Sequence, residues 1–237
     1  MTGRPSSAVD FAKSLGITFS DAELLSQVFV HRSYLNEHRS LGLDHNERLE
    51  FLGDAVLELV VTEHLYRNFP NPEGELTNWR SALVRGQMIA TIAKELGMEP
   101  HLLLSRGEQQ SKGKARQLIL ANTFEAFIGA LYLDRGYEAA QSFLNEHLIL
   151  HLSDILAQRL HIDSKSDLQE KSQEHLGVTP TYTVLKSEGP DHDKIFTVGV
   201  QIGGTMVAEG TGSSKQRAEQ SAAAQALEKW DEISHAA

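Results

Sequence analysis

The sequence predicts two domains of different class: an all-α domain in residues 1–160 and a small α+β domain in residues 161–232. Up to about residue 160, apolar residues recur with helical spacing. Beyond it, Phe196, Val198, Val200 and Ile202 alternate with polar or small residues, as in a half-buried strand. The pair Gly203-Gly204 then predicts a tight hairpin turn. A chain of 237 residues can form one large domain or two smaller ones, and the change of pattern favours two.

The individual elements follow from the same periodicities. In the first domain, helices are predicted at 21–30, 47–66, 75–85, 87–96, 118–133 and 137–156, with breaks at 70–74, 97–100 and 105–117. In the second, a helix at 164–176 precedes strands at 181–186, 196–202 and 205–208 and a closing helix at 214–230. The predicted order of the second domain is therefore α-β-β-β-α, after a short linker at 161–164.

The composition limits the class of protein. The chain has no cysteine, which excludes disulfides and thiolate zinc sites and favours a reducing cytoplasm as its location. Residues 1–15 lack the apolar core of a secretory signal, and no stretch reaches the roughly 18 apolar residues of a membrane span. We therefore expect no membrane partner. The formal net charge of −10, taken alone, argues against nucleic acid as a partner.

The helix predicted to begin at Glu47 carries its acidic residues on one narrow stripe. At about 100° per residue, Glu47, Glu50 and Asp54 share this stripe, and Glu58 extends it by a turn. The rest of the helix is apolar nearly all round, which is typical of a buried helix. Burying several ionised carboxylates together is costly unless cations neutralise them. The pattern therefore predicts a metal site.

Simpler explanations exist for part of this stripe. Glu47 and Glu50 lie near the start of the helix, where acidic residues favour the helix dipole, and Asp44 with Glu47 would form a capping box. Glu58 could reach solvent or an arginine. Asp54 lies deeper in the helix, where the helix dipole does not explain it.

A second apolar helix offers a matching polar face. Asn122 and Glu125 lie at positions i and i+3, and Ala126 and Gly129 share their side of the helix. Small residues next to two polar ones leave room for another helix, a cation or a substrate group. Two such helices can form an oxygen-lined cluster of the kind that Mg²⁺ prefers. Pairing of Glu125 with His31 or an arginine is the alternative.

These residues belong to motifs that resemble the ribonuclease III family in the same order. The matching segments are 46–57, His31-Arg32-Ser33-Tyr34 with Asn36-Glu37, Gly74-Glu75-Leu76-Thr77, 107–111 and 120–134. Beyond residue 163, the sequence resembles a double-stranded-RNA-binding domain. The matching residues are Lys165, Leu168-Gln169-Glu170, residues 189–194 and Ser214-Lys215 through Ala218-Glu219. The resemblance covers about residues 24–230 and implies an endonuclease that cuts double-stranded RNA.

The resemblance implies roles for particular positions. Asp54 and Glu125 would be catalytic, and the family's Mg²⁺, for which Mn²⁺ can substitute, would be held by Glu50, Asn122, Asp54 and Glu125. Glu47 and Glu75 would support the acidic cleft, and Phe51 would lie at the contact of a homodimer. No small-molecule cofactor is implied. The expected substrates are ribosomal RNA precursors and some messenger or other structured RNAs.

Asn122 departs from the family pattern, which typically has an aspartate there. Its amide oxygen can still bind a cation but adds no negative charge. We expect weaker Mg²⁺ binding with activity retained. The alternative is a dimer that binds double-stranded RNA without cutting it.

The second domain offers polar residues suited to a wide RNA minor groove and its phosphates. Gln169 and Gln173 share one helix face, and His192 lies in a polar turn between strands. Ser214, Lys215 and Arg217 open the last helix, whose amides suit a phosphate. A glutamine pair is often only solvated surface, and Ser214 is an ordinary N-cap residue. Residues 161–230 hold seven Lys or Arg against ten Asp or Glu, so RNA binding requires a local basic patch.

Overall fold

The computed structural model describes residues 5–38, 41–157, 163–190 and 194–236, with backbone alone at 5–7 and 235–236. The chain divides into two compact units, residues 1–161 and 162–237. The described part of the first unit is helical, and the second combines helices with a three-stranded sheet. The predicted fold class of each unit is confirmed. No helix among the described residues is long and apolar enough to cross a membrane.

The first unit contains more helical segments than its periodicity predicts. Its helices are α1 Pro5–Ser14, α2 Ala22–Val28, α3 Arg32–Glu37, α4 Glu47–Asn68, α5 Glu73–Leu83, α6 Gly86–Glu95, α7 Arg106–Gln109, α8 Lys114–Arg135, α9 Tyr137–His147 and α10 Leu152–Ala157. Short 3₁₀ turns lie at Glu99–His101 and Ile149–His151. The helix predicted at 137–156 is therefore two helices with a 3₁₀ turn between them. The short helices α3 and α7 were missed because one or two turns show no clear apolar period.

Helices α4 and α8 form the centre of the unit and touch backbone to backbone. A β-carbon built on Gly53 would lie 1.7 Å from the carbonyl oxygen of Glu125, and one on Gly129 would lie 2.2 Å from that of Leu49. Only glycine permits this approach, since any side chain would force the helices apart. Fully buried residues such as Leu57 and Phe124 fill the core around the contact. The sequence predicts room beside Ala126 and Gly129 for another helix, a cation or a substrate group. The structure shows another helix in that space.

The start of α4 is fixed by a buried residue of the acidic motif. Asn46 is 3% exposed; its side-chain amide donates to the carbonyl of Val28 at 3.0 Å, and its backbone N–H donates to that of Val30 at 2.9 Å. Asn46 is also the residue that precedes the helix, and it makes no side-chain cap. The expected capping box between Asp44 and Glu47 is therefore absent from this position. The acidic turn of α4 is instead anchored to the end of α2.

The second unit packs two long helices on one face of an antiparallel sheet of order β1-β2-β3. Its elements are α11 Ser164–Leu176, β1 Thr181–Glu188, β2 Ile195–Ile202, β3 Thr205–Gly212, α12 Lys215–Glu228 and α13 Trp230–Ala236. Gly203 and Gly204 have φ angles of 60° and 85°, as the predicted turn requires. Leu168 and Val200 lie in the core, where a β-carbon on Gly210 would meet the backbone nitrogen of Ala222 at 2.0 Å.

Candidate functional site

Three carboxylates lie within electrostatic reach of one another near the contact of α4 and α8. Glu50 and Asp54 lie one turn apart on α4, and Glu125 lies on α8 beside Gly53. Burial, together with the nearby charges of Asp54 and Glu50, raises the pKa of Glu125 to about 7. An acid in this position resists ionisation unless a cation is added. We call Glu50, Asp54 and Glu125 the acidic cluster.

The pKa of Glu50 is also raised, but one hydrogen bond acts against the shift. Burial raises its pKa, and the charges of Glu47 and Asp54 add to this effect. A hydrogen bond from the side chain of Asn122 acts in the opposite direction, because an amide N–H stabilises the ionised carboxylate. Asn122 therefore lies against the cluster as expected, and it acts there as a donor, which an ionised aspartate cannot do.

The chemistry of this donor set fits a divalent cation. The groups that influence the pKa of Glu125 are two carboxylates, and within the described residues it forms no ion pair with a histidine or an arginine. No three His, Asp or Glu side chains in this described part converge closely enough to chelate an ion. Mutual repulsion keeps uncompensated carboxylates apart, and Mg²⁺ retains several waters and needs few direct protein ligands.

The two ends of the acidic stripe are neutralised by arginines. Glu47 pairs with Arg32 at 3.1 Å and lies 3.7 Å from His45, whereas Glu58 pairs with Arg80 at 3.0 Å. All of these groups are partly exposed, so each pair contributes little stability. Their effect is to divide the stripe. Its ends carry paired charges, and its centre keeps the unpaired ones.

Glu75 lies away from this centre. It is in the first turn of α5 and accepts a hydrogen bond from the side chain of Asn71 at 2.8 Å. None of the interactions found within the described residues joins it to the acidic cluster. A supporting role in the same cleft is therefore not visible in the isolated chain.

An exposed apolar row follows one face of α4. Phe51 is 81% exposed, Leu59 56% and Tyr66 80%. Tyr66 borders a cavity of about 500 Å³ whose lining includes Leu65, Leu76 and Arg80. Phe51 is therefore not part of the core of the isolated chain. Exposed apolar side chains that follow one face of a helix are typical of a contact surface.

A basic loop, residues 105–113, leads into the first turn of α8. It contains α7 and is capped by Ser105, whose hydroxyl accepts from the backbone N–H of Glu108 at 3.2 Å. Arg106, Lys112 and, just after the loop, Lys114 are exposed, and within the described part of the chain none of their charged side-chain groups forms an ion pair with a carboxylate. The segment lies within the break between helices that the sequence predicts at 105–117.

Arg116 differs from the other cations of this region. Its side chain is 17% exposed, lies 3.5 Å from Glu99 and donates to the backbone carbonyls of Gln109 and Ser111 at 2.8 and 3.3 Å. It closes the end of the basic loop. Its guanidinium is consequently occupied by the protein itself.

In the second unit, the predicted RNA-binding residues occupy the surface. Gln169 and Gln173 are exposed on α11 and line an open groove of about 450 Å³ together with Glu170 and Glu174. Gln173 also accepts from the hydroxyl of Thr179 at 3.1 Å. The amide pair is accessible, and carboxylates flank it on the same helix.

The start of α12 presents a compact polar end. Ser214 caps it by accepting from the backbone N–H of Arg217 at 3.2 Å, while the Arg217 guanidinium donates to Ser213 at 3.1 Å. Lys215 is exposed at the first position of the helix. His192, the remaining predicted RNA-binding residue, lies outside the described residues.

Comparisons with known proteins agree with this architecture. Residues 21–152 match the family model Ribonuclease-III-like, and residues 164–230 match the Double-stranded RNA binding motif. Proteins named Ribonuclease 3 from Streptococcus thermophilus and Enterococcus faecalis are 46% and 48% identical to the chain. The first covers 91% of this chain and 94% of the relative, and the second 90% and 92%.

A solved structure matches the helical unit. The nuclease domain of ribonuclease III from Campylobacter jejuni is 39% identical and superposes with a TM-score of 0.52, covering 57% of this chain and 92% of that domain. That structure is described as flexible in a region involved in dimer formation. Identity at this level over most of the chain shows common descent. This chain therefore belongs to the ribonuclease III family of endoribonucleases, and its C-terminal unit is a double-stranded-RNA-binding domain.

Proposed function

We propose that the chain hydrolyses phosphodiester bonds of double-stranded RNA with Mg²⁺, or Mn²⁺ in its place, bound at the acidic cluster. The observation that carries this proposal is the uncompensated burial of Glu125 against Asp54 and Glu50. A fold tolerates such a group where a ligand of opposite charge completes the site. Asp54 and Glu125 are the proposed catalytic residues, with Glu50 and Asn122 completing the donor set.

A divalent cation bound by hard oxygen ligands supplies a water of lowered pKa and stabilises charge on a phosphodiester. The chain's own residues prepare this reaction in three ways. Asn122 orients the Glu50 carboxylate by its hydrogen bond. The contact of Gly53 with the backbone of Glu125 fixes the distance between the two helices. Arg32 and Arg80 pair with the flanking Glu47 and Glu58, which partly offsets the negative charge at the two ends of the stripe.

We also propose the surfaces that hold the RNA. In the second unit these are Gln169 and Gln173 on α11 and the start of α12, with His192 as a further contact expected from the sequence. Lys215 and Arg217 provide the positive charge and Ser214 an exposed polar end, as phosphate binding requires. In the nuclease unit we propose the cations of the basic loop. Ribosomal RNA precursors and structured messenger RNAs in the cytoplasm are the substrates that we infer from family membership.

The proposed enzyme is a homodimer that pairs through α4. Phe51 and Tyr66 lie on one face about 22 Å apart, at 1.5 Å per residue. A two-fold axis between them, near Leu59, would bring Phe51 of one copy to the cavity beside Tyr66 of the other. Such an interface is self-complementary, as a symmetric dimer requires. It would also cover the apolar row that the isolated chain exposes.

Cleavage of a long RNA duplex tests the proposal. With Mg²⁺, the wild-type protein should cut the duplex into short fragments, and Glu125→Gln should bind it without cutting. Glu138→Gln, an exposed acid on α9, is the matched control and should cut normally. The metal dependence is read from the same assay with EDTA.

The second candidate is a dimer that binds double-stranded RNA without cutting it. The observation in its favour is Asn122, which removes a negative charge from the donor set. Intact RNA at protein concentrations that bind all of it, with Mg²⁺ present, would support this candidate. Cutting that disappears in Glu125→Gln excludes it.

A further inference from the structure

Helix α3 holds the beginning of the basic loop. The Ser33 hydroxyl accepts from the backbone N–H of Ser105 at 3.1 Å, and the Glu37 carboxylate accepts from that of Arg106 at 3.3 Å to each oxygen. The two donors are consecutive backbone groups. Both acceptors belong to the motif His31-Arg32-Ser33-Tyr34 with Asn36-Glu37, and neither of them is part of the acidic cluster or of the buried core.

His31 supports Ser33 in this contact. Its Nδ1 accepts from the backbone N–H of Ser33 at 3.3 Å, so it is also the acceptor for the Ser33 hydroxyl at 2.8 Å. The hydroxyl thus donates to His31 and accepts from Ser105. The backbone of His31 donates to the carbonyl of Leu103 at 3.1 Å, which joins the same two segments just before the loop.

The opposite end of the loop is closed by Arg116, which donates to the carbonyls of Gln109 and Ser111. The loop contains Gly107 and ends in Gly113, which has a φ of 59°. An exposed segment with two glycines loses much conformational freedom when it is fixed, so anchors at both ends decide whether it has one shape. The cations between the anchors remain exposed.

We propose that Ser33 and Glu37 are positioning residues that fix the basic loop for binding to the RNA backbone. This inference rests on the proposed function, because it assumes that the loop contacts the duplex. Neither residue touches RNA in this scheme. They act through the backbone of Ser105 and Arg106, and a loop fixed in advance binds phosphate without the entropic cost of ordering.

The test uses the full chain with Ser33→Ala and Glu37→Ala, each of which removes the acceptor. We expect KM for duplex cleavage in Mg²⁺ to rise about five-fold for each variant while kcat stays within about two-fold, since each change removes a hydrogen-bonded contact that orders the loop. The Kd for the same duplex, measured in Ca²⁺ without cleavage, should rise in parallel. Ser33→Thr keeps the hydroxyl and should restore wild-type KM. Glu138→Gln is the matched control for a lost surface charge.

A double-mutant cycle separates positioning from general destabilisation. In an Arg106→Ala/Lys112→Ala/Lys114→Ala background, Ser33→Ala should change KM by less than about two-fold, because the exposed cations of this region are gone. A full effect of Ser33→Ala in that background, a fall in kcat at constant KM, or unchanged KM and Kd in both single variants would each overturn the inference. If the wild type does not cut the duplex, the proposed function is contradicted instead. The Kd measurements then still show whether Ser33 and Glu37 position the loop for RNA binding.

Discussion

The β-carbon position of Gly53 lies 1.7 Å from the carbonyl oxygen of Glu125, so the two central helices meet at the same point as the acidic cluster. Packing and chemistry are coupled here, because the contact that closes the core also sets the spacing of the carboxylates. A change that separates the helices should therefore affect both stability and cleavage.

Gly53→Ala should destabilise the nuclease unit by about 2 kcal/mol or more, since the added methyl group meets backbone that cannot rotate away. Thermal denaturation measures this loss, and duplex cleavage should fall with it. Gly74→Ala is the matched control, because Gly74 lies in α5 with open space around its β-carbon position. That substitution should leave the protein unchanged or slightly more stable. Equal melting temperatures for the two variants would contradict the tight contact.

Glu125→Gln should stabilise the metal-free protein at pH 8 by about 1–2 kcal/mol, because it removes a charge that burial and two carboxylates disfavour. Mg²⁺ should raise the melting temperature of the wild type, since a ligand that binds the folded state stabilises it. The same addition should have little effect on the variant. Thermal denaturation with EDTA and with Mg²⁺ measures both, and an equal Mg²⁺ response in the two proteins would remove Glu125 from the metal site.

In the absence of metal, Asn122→Asp should destabilise the protein, whereas Glu125→Gln should stabilise it. It replaces a hydrogen-bond donor to Glu50 with a fourth carboxylate, and a unit charge at about 4 Å costs about 4 kcal/mol at an effective dielectric near 20, before relaxation. We expect a lower melting temperature in EDTA and a lower Mg²⁺ concentration for half-maximal cleavage. Asn122→Ala is the control, because it removes the donor without adding charge. If the Mg²⁺ dependence of Asn122→Asp equals that of the wild type, the asparagine is neutral.

Asp163 should give the second unit an acid-sensitive contact. Burial alone raises its pKa, but hydrogen bonds from Gln220 at 2.7 Å and from Ser166 outweigh it and hold the pKa below the usual range. A lowered folded-state pKa means that this stabilisation is present above the unfolded pKa of about 3.9 and is lost as the pH falls through the folded value.

Asp163→Ala should therefore weaken α11 and α12 by about 1 kcal/mol or less at neutral pH, as loss of a partly exposed cap does. The difference from wild type should shrink once the pH falls below about 4. Hydrogen exchange in peptides that cover Ser164–Leu176 and Lys215–Glu228 measures this in the full chain. A difference that stays constant down to pH 3 would show that the charge of Asp163 is not involved.

Phe51→Asp should dissociate the proposed dimer without unfolding the monomer, because the ring is exposed in the isolated chain. A buried interface aromatic contributes about 2 kcal/mol or more, so the dimer Kd should rise at least about 30-fold. Sedimentation equilibrium measures the change. Leu133→Asp, at an exposed leucine of α8, is the control and should leave the assembly state as in the wild type.

The sequence by itself determined the classes of the two units, the order of their main elements and the family. Periodicity suffices for these properties because a long helix or strand must alternate its faces whatever it packs against, as in α4 and β2. It also brought out the central carboxylates and Asn122, whose residue types are unusual on apolar helices. The short helices α3 and α7 were not predicted, because their position depends on contacts with distant segments.

Only the tertiary structure decided which carboxylates stay unpaired. Glu47 and Glu58 look like Glu50 and Asp54 in the helical pattern, and they differ because Arg32 and Arg80 arrive from α3 and α5. The anchoring of the basic loop likewise joins residues about 70 positions apart, as in the bond between Ser33 and Ser105. Charge pairing and loop order depend on distances in space, whereas local periodicity reports only the faces of a single element.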